Sequence, residues 1–152
     1  MNNALKRAVT VAVTAVIAVA GMVAGSGAAS ATACPSTYTC TWDGFNYQGN
    51  GDVNQYIKFG KFIPDYRNFS YAGTGTIGDD TASSISNMGT TSTSYAFKDL
   101  SCTGYSFSLL KGTGDGNLSD DAGNVALGNY YGFNNSITSA TYNNYSSSCR
   151  NS

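Results

Sequence analysis

The chain has 152 residues, no histidine, eight basic against nine acidic side chains, and a pI near 5.0. Without histidine it cannot build a Ser-His-Asp or Cys-His arrangement or an HExxH zinc helix, and a carboxylate pair such as Asp120-Asp121 is expected by chance on a small domain with nine Asp, so no catalytic residue is assigned. The basic residues are scattered and the balance is acidic, which excludes the electrostatic footprint of a nucleic-acid binder.

At the N-terminus Lys6 and Arg7 precede an uncharged run over 8–33 that closes on two small-x-small sites, Ala29-Ser30-Ala31 and Ala31-Thr32-Ala33. This pattern predicts a secretory signal peptide over 1–33. Its richness in Ala, Gly, Ser and Thr argues against the rival reading of a membrane anchor. Residues 34–152 then form one secreted domain with no membrane association, expected to be a monomer, carrying six basic residues against nine Asp and no Glu, a formal charge of −3.

All four cysteines, Cys34, Cys40, Cys102 and Cys149, lie in that domain, and an exported chain meets an oxidising compartment. Four cysteines permit three pairings. The short separation of Cys34 from Cys40 suits a local ring, leaving Cys102 with Cys149 as a long clasp. A zinc site is disfavoured by the lack of histidine and of any CxxC pair.

Thr37-Tyr38-Thr39-Cys40-Thr41-Trp42 alternates, placing Tyr38, Cys40 and Trp42 on one face of a strand; Tyr105, Phe107 and Leu109 alternate with Ser106, Ser108 and Leu110 in another. Between the strands come turn signals such as Asp43-Gly44, Gly49-Asn50-Gly51, Gly73-Thr74-Gly75 and Gly112-Thr113-Gly114. The oxygen-rich stretch over 115–121 lacks the Gly and Glu of an EF-hand loop and reads as a solvated turn. No sustained helical period follows residue 33. The predicted class is all-β, an antiparallel sandwich or barrel.

One set of residues occurs twice at a fixed offset of 55: Trp42 and Phe97, Gly49 and Gly104, Asp79-Asp80 and Asn134-Asn135, Ser83 and Thr138, Ser84 and Ser139. A repeated supersecondary unit is expected. Each aromatic would open a hairpin that folds over its own sheet. Gly49 and Gly104 would supply φ > 0, and Ser84 and Ser139 are short enough to lie beneath the hairpin and hydrogen-bond it. The motifs over 79–84 and 134–139 carry more oxygen than a turn needs, in the hard-ligand set that Ca²⁺ prefers.

The doubled pattern W/F-x6-G, followed 30 residues after the Gly by D/N-D/N-x-x-S/T-S, resembles the two Greek-key motifs of a βγ-crystallin domain, motif one over about 38–88 and motif two over about 93–142, with a tail over 143–152. The resemblance implies a βγ-crystallin-like sandwich with up to two Ca²⁺ sites, each shared between motifs. It implies carbonyls from Thr81 and Ser136, hydroxyls from Ser83 and Thr138, crossing side chains from Asp80 and Asn135, the leading Asp79 and Asn134 of each motif, and backbone carbonyls from Asp43 and Lys98. Loss of calcium, with both loops merely capping turns, is the alternative.

A narrower resemblance lies at 34–40, where Cys34-Pro35-Ser36-Thr37-Tyr38-Thr39-Cys40 before an aromatic hairpin is similar to the opening of the secreted actinobacterial metalloproteinase-inhibitor family. It implies a secreted, thermolysin-like peptidase as partner. Contact regions would be sought over 59–71 and 111–125. Other classes on the same fold are a calcium-stabilised binding module and a killer-toxin-like antimicrobial protein.

Overall fold

The computed structural model of the chain describes residues 34–120 and 132–152. The expected signal peptide over 1–33, Asp121 and the end of the 111–125 region lie outside the described residues. Eight strands appear in chain order: β1 (Thr39–Trp42), β2 (Ile57–Phe59), β3 (Phe62–Ile63), β4 (Ser84–Asn87), β5 (Ser94–Phe97), β6 (Ser106–Leu109), β7 (Thr113–Asp115) and β8 (Ser139–Tyr142). Among the described residues the helical structure comprises two 3-10 turns and one helical turn, α1 (Ser146–Arg150). Five residues are too few to leave a helical period in the sequence.

The strands form two antiparallel sheets, ordered β2-β1-β4-β7 and β3-β8-β5-β6. Each half of the chain therefore keeps three strands in its own sheet and lends one to the other: β3 leaves the first half to pair with β8, and β7 leaves the second to pair with β4. This reciprocal exchange makes two Greek keys into one sandwich. β1 and β5, and likewise β4 and β8, stand 55 residues apart, so the sequence repeat is a structural one.

Cross-strand partners share a face. Thr39 and Thr41 pair with Phe59, Ile57, Asn87 and Ile85, and Ala96 pairs with Phe107 and Ala140. These faces meet in the main core, which also holds Ile63, Tyr66, Tyr71, Leu118, Phe133 and Ile137. Each buried Ile, Leu or Phe there stabilises the fold by roughly 1.5–3 kcal/mol. Asn87 ties the sheets together: its Nδ2 donates to the carbonyls of Leu109 and Ser92, while its Oδ1 accepts from Gly89 N and Thr39 Oγ1.

The alternation over 37–42 leads to a less usual arrangement. The face carrying Tyr38, Cys40 and Trp42 is the outer one, yet Cys40 and Trp42 are fully buried because the following hairpin folds down over them. Trp42 meets Tyr47 and Tyr56 edge-on at 5.6 and 5.9 Å between ring centroids, and its indole N–H donates to Val53 O at 2.9 Å. In the second half Phe97 is buried by the equivalent hairpin together with Cys102 and Cys149. The disulfides are Cys34–Cys40 and Cys102–Cys149, with no free cysteine among the described residues. The second predicted strand starts later than its alternation suggests: β6 begins at Ser106, and Tyr105 is 81% exposed.

Candidate metal centre

The two hairpins are held from beneath by the paired serines. Ser84 Oγ donates to Gly44 O at 2.6 Å and accepts from Tyr47 N at 3.1 Å; Ser139 Oγ donates to Asp99 O at 2.5 Å and accepts from Cys102 N at 2.9 Å. Every atom in the second set is 55 residues on from its counterpart in the first. The same hairpins hold Asn46, Tyr47, Ser101 and Cys102 in the left-handed region, at φ between 54° and 61°. Such conformations are unfavourable for residues with a Cβ and persist only where surrounding bonds impose them.

The glycines behave differently from each other. Gly104 has φ +75°, as its role in the hairpin predicts, but Gly49 does not lie at positive φ. Gly49 is needed for close approach: a Cβ there would stand 2.5 Å from Gln55 O and 2.8 Å from Asp43 Oδ1. The periodic spacing marks both positions without distinguishing a backbone requirement from a packing one.

Folding brings the two oxygen-rich motifs together at one end of the sandwich. Backbone bonds cross between them in both directions, Asp80 N to Ile137 O at 3.2 Å and Asn135 N to Ala82 O at 2.9 Å. Asp80 and Asn135 both adopt left-handed backbone, at φ 52° and 53°. Thr138 Oγ1 lies 3.2 Å from Asp80 Oδ1, and Ser83 Oγ lies 3.4 Å from Asn135 Oδ1. The backbone anchors Ser83 N to Trp42 O and Thr138 N to Phe97 O, at 2.8 and 2.9 Å, bring each hydroxyl beside the start of its own hairpin, next to Asp43 and Lys98.

The first member of each motif is polar and under-satisfied. Asp79 Oδ1 and Asn134 Oδ1 are both buried without a donor. Burial, reinforced by the neighbouring Asp80 carboxylate, pushes the Asp79 carboxyl above its usual range. Of the remaining residues, Thr81 Oγ1 turns away to Ile77 O and Gly78 O, Ser136 Oγ donates to Asn134 O, and the Lys98 ammonium reaches Gly132 O at 2.7 Å over the Phe133 ring. For these three only backbone carbonyls are free to serve a metal. No group of three or more His, Cys, Asp or Glu side chains that could hold a metal ion occurs among the described residues.

No protein-family model matches the sequence, and no curated protein matches it. Among solved structures the chain is similar to a βγ-crystallin domain from work on the evolution of the eye-lens domain fold, at 19% identity and a TM-score of 0.51, covering 71% of this chain and 87% of that one. The chain has the βγ-crystallin fold. Further similarities are to a βγ-crystallin from Ciona intestinalis (16% identity, TM-score 0.46, 69% of this chain and 98% of that one) and to spherulin 3a from Physarum polycephalum (20%, 0.46, 72% and 85%). Within this βγ-crystallin fold, the exchanged third strands and the paired hairpins over Ser84 and Ser139 are the features that put the two D/N-D/N-x-x-S/T-S loops side by side.

Proposed function

We propose that the protein is an extracellular, calcium-stabilised binding module that takes up to two Ca²⁺ ions, one at Thr138 with Asp80 and one at Ser83 with Asn135. The observation that carries this reading is the reciprocal pairing of hydroxyl and crossing side chain in both halves. Two oxygens 3.2–3.4 Å apart subtend roughly a right angle at an ion bound at about 2.4 Å, a normal angle between neighbouring Ca²⁺ ligands. The undonated Asp79 and Asn134 oxygens support it, because a buried acceptor without a donor is costly unless a ligand meets it. Two disulfides favour an oxidising compartment. The test is isothermal calorimetry of chelator-treated protein against CaCl₂. Two binding events with a higher melting temperature are expected; no heat and an unchanged melting temperature at millimolar calcium would sink the reading.

A second reading, inhibition of a secreted peptidase, is favoured by one surface feature. The hairpin containing Cys102 is braced by the Cys102–Cys149 disulfide and exposes Leu100 and Tyr105 beside it. An apolar residue on a covalently braced loop loses little entropy on docking. Within 59–71 Phe69 is exposed as Leu100 is, but neither 59–71 nor 111–125 contains a cysteine that could brace it. Micromolar protein should slow thermolysin and the Leu100→Asp variant should not. Unchanged thermolysin, subtilisin and trypsin activities dispose of this reading for those enzymes.

A further inference from the structure

A cleft of about 620 Å³ opens between the first hairpin and the turn at 73–76, and its walls include Asp43, Asn50, Gln55, Gly73, Thr74 and Thr76. Asp43 Oδ1 and Gln55 Oε1 are both buried without any donor. The two side chains meet around Gly49: the point where a Cβ would stand on Gly49 is 2.8 Å from Asp43 Oδ1 and 2.7 Å from Gln55 Cβ. No cation among the described residues answers them, since the one ion pair there joins Arg67 to Asp65. Gly73, at φ +74°, has nothing within 4 Å of a Cβ position, so this rim of the cleft is open.

The fold does not require both acceptors. In the second motif Lys98 stands 55 residues on from Asp43, while the strand registers, Thr41 with Ile57 and Ala96 with Phe107, put Tyr105 in the place of Gln55. The second hairpin is thus built with a cation and an aromatic side chain at these two positions. A carboxylate stands against the hairpin glycine in both motifs, Asp43 at Gly49 and Asp99 at Gly104, but only in the first does a glutamine side chain join it there.

We propose that this cleft binds a guanidinium group, presented by an arginine side chain of a partner polypeptide. A hard divalent ion takes six to eight closely fitted oxygens, and a cleft of this volume with one carboxylate does not supply them. A guanidinium is planar, weakly hydrated and carries five donors in a fixed fork, so it can pair with Asp43 and still serve Gln55 Oε1 and a threonine hydroxyl. The volume exceeds that of the arginine head, leaving room at the open Gly73 rim for flanking peptide.

The test is an amide NMR titration of the protein in chelator, so that its outcome does not depend on calcium. The probes are N-acetyl-arginine methylamide, its neutral citrulline analogue and free L-arginine. The arginine amide should shift the resonances of Asn50, Gln55, Thr74 and Thr76, with citrulline weaker by about tenfold or more, because hydrogen bonds between charged groups are stronger than neutral ones. Asp43→Asn should lose a similar factor while keeping its melting temperature. Citrulline binding as well as arginine, shifts mapping elsewhere, or an Asp43→Asn variant of undiminished affinity would overturn the site. Tighter binding of free arginine than of the blocked amide would overturn the polypeptide partner. Should Asp43→Asn fail to fold, the arginine and citrulline comparison on the unaltered protein decides.

Discussion

Ser84 and Ser139 carry more of the fold than their size suggests, because each hydroxyl closes two hydrogen bonds that pin a hairpin in left-handed backbone. Truncating Ser84 to alanine removes both bonds and leaves the Gly44 carbonyl and Tyr47 N–H without them. At about 1 kcal/mol per bond, Ser84→Ala should cost about 2 kcal/mol, readable in urea denaturation, and Ser139→Ala the same. A loss below about 0.5 kcal/mol would mean that water replaces the hydroxyl. Asp115 offers a second test at this scale. Burial pushes its carboxyl above the usual range, Asp120 adds to that, and the Asn117 N–H opposes it. Because the folded state penalises the charged form, the penalty is absent below the unfolded carboxyl range near pH 3.8 and complete above the raised value. Asp115→Asn keeps an acceptor for Asn117 N. It should therefore match the unaltered protein in stability near pH 3 and exceed it by pH 7. A gap that stays constant across that range would refute the linkage.

Strands β1 and β6 were legible in the sequence from their alternation, and the serines beneath the hairpins from the repeat at one offset. The exchange of β3 and β7 was not. Phe62–Ile63 and Thr113–Asp115 are too short to show alternation, and their partners lie in the other half of the chain. Nor could periodicity tell that the Trp42 face points away from the main core, since an aromatic under a hairpin is as buried as one between sheets. The crossing of Asp80 and Asn135 between motifs was an implication of the βγ-crystallin resemblance and not of spacing, and the undonated oxygens of Asp43 and Gln55 depend on a close approach at Gly49 that spacing does not encode either. The two hairpins are also clamped by different chemistry. Tyr47 closes over Trp42 in the first, and its counterpart 55 residues on, Cys102, closes the second through a disulfide to the tail. That clasp spans 47 residues, so loop entropy assigns it about 4 kcal/mol, against about 2 kcal/mol for the Cys34–Cys40 ring. Replacing Cys102 and Cys149 together with alanine should lower unfolding free energy by roughly twice as much as replacing Cys34 and Cys40. Equal losses would show that strain or unfolded-state structure outweighs loop length.

At the scale of the whole molecule, the two proposed calcium sites join the halves of the chain, since each takes its hydroxyl from one motif and its crossing side chain from the other. Calcium would then oppose separation of the two Greek keys as well as local fraying. The sites are unequal. The Thr138 site receives the Asp80 carboxylate, with Asp79 beside it, while the Ser83 site receives the neutral Asn135 amide. Carboxylate count helps to set calcium affinity, so the Thr138 site should fill first. A ligand that binds only the folded state stabilises it by about 2.7 kcal/mol when its concentration is 100 times Kd. In a calcium titration of the melting temperature, Ser83→Arg should remove the weaker event and leave the rise at low calcium. Thr138→Arg should abolish that early rise, so that stabilisation begins only at the higher concentration. Both positions are buried, so each variant's own melting temperature in chelator is the baseline from which its calcium-dependent rise is read. If the two substitutions erase the same phase, the ions bind as one coupled unit and the assignment of separate affinities is wrong.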